Sequence, residues 1–142
     1  MRLFHRQTSG RSAKARNGTA ALELALCLPM MVILTFGAME STDLIFLKAK
    51  LKTAAYEGAR TTTAPSQTSA GGITAANNVL QTRGIVSGTV SVNPSNVTQA
   101  TATGTVVTVT VTAPFASNMY MKPFILGGVV TNVSATVTMI RQ

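Results

Sequence analysis

Residues able to carry acid–base or nucleophilic chemistry are few and poorly grouped. All four acids, Glu23, Glu40, Asp43 and Glu57, fall between positions 23 and 57. The one His is His5 and the one Cys is Cys27. Beyond Glu57 no His, Cys, Asp or Glu occurs, and Ser117, Tyr120 and Lys122 are the nearest approach to a reactive cluster. General acid–base catalysis needs such groups placed together, and nothing around Ser117 marks a strained nucleophile turn. No enzymatic activity, cofactor or metal site is expected. A single Cys excludes an internal disulfide framework and a Cys-rich metal centre; Cys27, within an apolar run, reads as a small hydrophobe.

The setting of Glu23 is unusual. Residues 20–39, AALELALCLPMMVILTFGAM, are apolar except for Glu23 and Thr35. Twenty helical residues span about 30 Å, the thickness of a bilayer's hydrocarbon core. A chain of 142 residues has little core with which to surround such a segment, so a transmembrane helix is expected and the lipid bilayer is its first partner. An ionisable group at the centre of a membrane helix costs on the order of 2.5–3.5 kcal/mol. Near the cytoplasmic end it reduces that cost by snorkelling, but a carboxylate there still asks for a use.

Composition and charge agree with an anchored protein. Hydrophobic residues make up 46% of the chain and charged residues 11%, against about 25% charged in ordinary soluble domains. Disorder of the usual kind needs low hydrophobicity and is also excluded. The net charge is +8, but Arg2, Arg6, Arg11, Lys14 and Arg16 crowd the first sixteen positions. Without residues 1–18, seven basic residues face four acids, a net +3. No basic face remains on residues 61–142, so nucleic acid is not an expected partner. The basic arm before the apolar run puts the N-terminus in the cytoplasm and residues 61–142 outside.

Residues 40–60 extend the helix. Leu44, Leu47, Leu51, Ala54, Ala55 and Gly58 recur at three- and four-residue steps and form one apolar stripe, with Lys48, Lys52 and Glu57 off it. A helix from residue 20 to residue 60 would be roughly 60 Å long. Pro29 lies inside it and removes one N–H donor, so a bend is expected there.

Residues 61–142 read as a small domain. A second helix is expected over 72–83, with Ile73, Ala76, Val79 and Leu80 on one face and Gly84 as its stop. Residues 85–92, 105–112 and 129–140 alternate Val with Thr or other small residues, the pattern of strands buried on one face. The expected fold class is α+β: a long N-terminal transmembrane helix continuing into a small domain with a second helix and a three-stranded antiparallel sheet. Helical cover is needed, because three short strands are marginal alone. The loop 113–128, with Pro114, Pro123 and Gly127–Gly128, is long enough to form an interaction surface.

The run KARNGTAALELALCLP at 14–29 resembles a type IV prepilin cleavage site: basic residues, a Gly, and a carboxylate five residues on. The resemblance implies that a prepilin peptidase cuts between Gly18 and Thr19, making residues 1–18 a leader and Glu23 the fifth mature residue. Gly18 leaves room for an active site that grips extended backbone. Cleavage also creates a cation, the amino group of Thr19. In a bundle, Glu23 of one subunit would meet that amine on its neighbour and fix the axial register.

Glu23, Leu28-Pro29, Phe36-Gly37 and Ala54-Ala55-Tyr56-Glu57-Gly58-Ala59-Arg60 together resemble the TadE-like family, pseudopilins of tight-adherence (Flp type IV) pilus assembly systems. Leu24 stands where a Phe is common, and Thr19 where Ala or an aromatic is usual. The resemblance implies a leader at 1–18, a transmembrane helix with amphipathic extension at 19–60 and an extracytoplasmic domain at 61–142. It also implies a minor structural component at the bacterial inner membrane or within the pilus. Its partners would be the prepilin peptidase, other pilins and pseudopilins, and the pilus assembly platform. Two rivals are a secreted or periplasmic binding domain with an ordinary signal peptide, and an uncleaved single-pass envelope protein.

Overall fold

The computed structural model describes residues 11–142, with side chains from residue 18 onward; Arg2, His5 and Arg6 lie outside the described residues. Helix α1 spans Arg11–Thr63 and helix α2 spans Ser69–Thr82. Three strands follow: β1 (Thr89–Asn93), β2 (Val106–Pro114) and β3 (Asn132–Ile140). Two short 3-10 turns, Ala116–Asn118 and Leu126–Gly128, lie between β2 and β3. The arrangement is α+β. The chain divides into two units between Phe36 and Gly37.

The first unit is the apolar part of α1. Leu22, Leu24, Leu26, Leu28, Met30, Met31 and Leu34 are all exposed. The helix runs unbroken through Pro29, whose missing N–H leaves the Ala25 carbonyl without its usual donor. Thr35 does not break the apolar character, because its hydroxyl donates to the Met31 carbonyl at 2.8 Å.

The second unit begins with the rest of α1, and the stripe read from the sequence is the buried one. Leu47, Leu51, Ala54, Ala55 and Ala59 are fully or nearly fully buried. They pack with Val107, Val109, Val111 and Ala113 of β2 in a single core. The sheet order is β1-β2-β3, antiparallel throughout. Val92, Val109 and Val137 align across the three strands on the inner face. On the outer face Thr108 meets Thr138 and Thr110 meets Thr136, each pair hydrogen-bonded between hydroxyls at 3.0 Å.

Element ends differ from the sequence reading for local reasons. Helix α2 starts at Ser69 rather than at 72, because Thr68 takes an extended conformation and its hydroxyl accepts the Gly71 N–H at 3.2 Å. Its end agrees: Gly84 adopts a φ of +67°, which glycine reaches without strain. β1 starts at Thr89 rather than at 85. Val86 instead lies in an exposed turn, held by Asn118, whose side chain accepts the Val86 N–H at 2.7 Å and donates to its carbonyl at 3.0 Å. β3 starts at Asn132, and Val129 closes the 3-10 turn before it.

Candidate functional site

The residues singled out in the sequence lie along α1. Gly18, Thr19, Glu23 and Pro29 are all helical and exposed. Thr19 and Glu23 are four positions apart and so share a helix face. A Cβ at Gly18 would meet no atom within 4 Å, so packing among the described residues does not demand glycine there. Cys27 is an exposed free thiol within the apolar stretch. Ser117, Tyr120 and Lys122 are all solvent-exposed. Among the described residues, His, Cys, Asp and Glu do not gather in threes or more as a metal site would require.

A second arrangement was not foreseen. Glu40, directly after the apolar run, is only 5% exposed. Its carboxylate accepts three consecutive backbone N–H groups: that of Phe124, that of Ile125 at 2.9 and 3.2 Å, and that of Leu126 at 2.6 Å. Successive amides turned to one point form an anion-binding concavity, and bonds to an ionised acceptor are among the stronger kind. Ile125 also lies against Gly37, where its Cδ1 would be 3.6 Å from an added Cβ. The β2–β3 connection is thus fastened to α1 at residues 37–40. The only sign of this in the sequence is an acid at the edge of an apolar run, with its partners more than eighty positions away.

Within Ala54-Ala55-Tyr56-Glu57-Gly58-Ala59-Arg60, the small residues Ala54, Ala55, Gly58 and Ala59 face the interior, and Gly58 makes the contact with α2 and the sheet. A Cβ on Gly58 would lie 3.0 Å from Ala76 Cβ, 3.1 Å from the Gly72 carbonyl oxygen and 3.3 Å from Val109 Cγ1. Gly72 is tighter still: its Cβ would lie 1.8 Å from Thr62 Oγ1 and 2.7 Å from the Gly58 carbonyl oxygen. The buried side of α2 is therefore Ser69, Gly72, Ala76 and Leu80, with the expected Ile73 and Val79 half-buried beside it. Arg60 reaches back to Glu57 at 3.8 Å, an exposed pair of the kind worth little.

The last turn of α1 is closed by the end of the chain. Arg141, 3% exposed, donates from Nη1 to the Thr62 carbonyl at 3.0 Å and the Gln67 carbonyl at 3.2 Å. Its backbone is clasped by Thr105 and Gly104, each at 2.9 Å. Helix C-termini leave carbonyls unsatisfied and carry partial negative charge, and Arg141 answers both.

Residues 18–60 match the model of the family described as TadE-like protein. The likeness to that family is confined to this stretch, less than a third of the chain. The match begins at Gly18 and ends at Arg60, so it takes in the whole apolar run and the part of α1 that enters the core. Helix α2 and the sheet lie outside it. The apolar helix is a candidate membrane span by length and composition. No curated protein and no solved structure matches the chain.

Proposed function

We propose that the chain is a minor pilin or pseudopilin of a tight-adherence type IV pilus, a structural component held in the bacterial inner membrane by one helix. The observation that carries this is the TadE-like match, which opens at Gly18, the residue before the expected cut. None of the apolar window that follows is buried inside the protein. In this reading, residues 1–18 are a leader kept in the cytoplasm by its basic residues, and a prepilin peptidase removes them. The Gly18–Thr19 bond lies within a continuous helix. A peptidase that grips extended backbone must first unwind it, and glycine lowers that cost by about 1 kcal/mol relative to alanine.

Assembly follows from α1. The freed Thr19 amine of one subunit pairs with Glu23 of a neighbour and sets the register. Pro29 loosens the helix so that it can adapt to packing. Beyond the apolar run, Met39, Phe46 and Tyr56 are exposed on the side of α1 opposite its core stripe, which leaves a seam for other pilins, pseudopilins or the assembly platform. Helix association in lipid depends on such packing, since lipid supplies no hydrophobic drive between helices.

Sequencing the N-terminus of the native protein tests the reading. Thr19 is the expected first residue. An intact Met1 would replace it with a permanent anchor, and a start after Ala38 with a secreted domain.

A further inference from the structure

The loop that Glu40 fastens has an outward surface that the core does not use. Tyr120 is 98% exposed, Val129 80% and Phe124 75%, and Met121 is also largely exposed. These apolar residues fall within ten positions, with Lys122 among them. Scattered exposed apolar residues need no explanation, but a cluster of them marks a contact surface. The loop is also folded back on itself: a Cβ on Gly127 would lie 2.4 Å from Pro123 Cγ. Its position is set twice over, by the Glu40 carboxylate on the N–H groups of 124–126 and by Ile125 against Gly37.

Those two fasteners are the residues at which the apolar run ends. If residues 20–39 fill the hydrocarbon core, then Gly37 to Glu40 sit at the outer boundary of the bilayer. Whatever is bound to them sits there too. We propose that residues 120–129 form a second membrane contact, in which Tyr120, Met121 and Phe124 rest among the lipid headgroups beside the helix exit. The chemistry suits that layer. Tyrosine has an apolar body and a polar tip and is enriched at membrane interfaces. Lys122 extends a cation on an apolar stem toward lipid phosphates. No acid occurs in residues 61–142 to oppose anionic lipid. Glu40 would then have a defined purpose: it positions the loop while its own charge is neutralised by backbone N–H groups rather than by water.

The proposal rests on the membrane-anchored reading, and its test separates the two. The chain has no Trp, so each introduced Trp reports alone. Full-length Tyr120→Trp and Phe124→Trp are reconstituted into phosphatidylcholine–phosphatidylglycerol vesicles containing lipids brominated near the headgroup end of the acyl chain. Leu26→Trp serves as the buried reference and Thr136→Trp, on the outer sheet face, as the aqueous one. The expected result is blue-shifted, bromine-quenched emission at 120, 124 and 26, with 136 unquenched. Quenching at 26 but not at 120 or 124 overturns the loop contact and leaves the anchor standing. No quenching at 26 overturns the anchor itself. Emission at 120 and 124 that is shielded from aqueous acrylamide yet unquenched by brominated lipid overturns the proposal in favour of a protein partner. Tyr120 makes so little contact with the domain that its replacement leaves the core intact.

Discussion

Glu40 Oε2 lies 2.6 Å from the backbone nitrogen of Leu126, and this bond joins α1 to a loop at the far end of the sequence. Glu40→Ala is expected to free the N–H groups of Phe124, Ile125 and Leu126, and Glu40→Gln to free them in part, since one acceptor oxygen remains. Amide hydrogen exchange at 124–126 should quicken in the order wild type, Gln, Ala, while the β2–β3 ladder keeps its protection.

Gly72 is held between Thr62 and the Gly58 backbone. Gly72→Ala is expected to destabilise the domain by about 1–3 kcal/mol, the usual cost of overpacking. Thr62→Ala should not restore it fully, because the Gly58 carbonyl oxygen would still lie 2.7 Å from the new Cβ. Gly128→Ala, where a Cβ meets nothing within 4 Å, is the neutral control. Thermal unfolding of the full chain in detergent reads all three.

Arg141 caps α1 through one guanidinium nitrogen, Nη1, which donates to both the Thr62 and Gln67 carbonyls. Arg141→Met removes that donor and leaves buried carbonyls unpaired, at about 1–3 kcal/mol. Arg141→Lys keeps the charge near the helix end but lacks the planar geometry, so an intermediate loss is expected. Denaturant midpoints of the two variants against wild type check the order.

Glu23→Gln separates insertion from assembly. Removing a carboxylate makes the apolar helix easier to insert, so membrane levels should be unchanged. If Glu23 pairs with a neighbour's Thr19 amine, the amount crosslinked to other pilins or recovered with pili should fall. Unchanged recovery would remove the register role from Glu23.

Among the described residues, Gly18 has no neighbour within 4 Å of an added Cβ that would require glycine. Gly18→Ala is therefore expected to cause no loss of stability, and to firm the helix locally by about 1 kcal/mol, while slowing leader removal. The ratio of precursor to mature chain on a gel, followed over time, measures the effect. A variant processed at the wild-type rate would show that the peptidase reads something else.

What the amino-acid sequence determined by itself is whatever depends on near neighbours. The apolar run, the stripe from Leu44 to Gly58 and the Val–Thr alternation of 105–112 each state their structure through a period of 3.6 or 2, because side chains that share a face recur at those steps. The match to the TadE-like family model also lay within one continuous stretch. Tertiary structure alone decided the rest. Val86 carries the same alternation as Val90 but is drawn out of the strand by Asn118. Glu40 and Arg141 look like ordinary charged residues until the backbone groups they serve arrive from 84 and 79 positions away. Such pairings leave no local mark, because a buried charge is defined by the donors and acceptors that surround it, and only the folded chain brings these together.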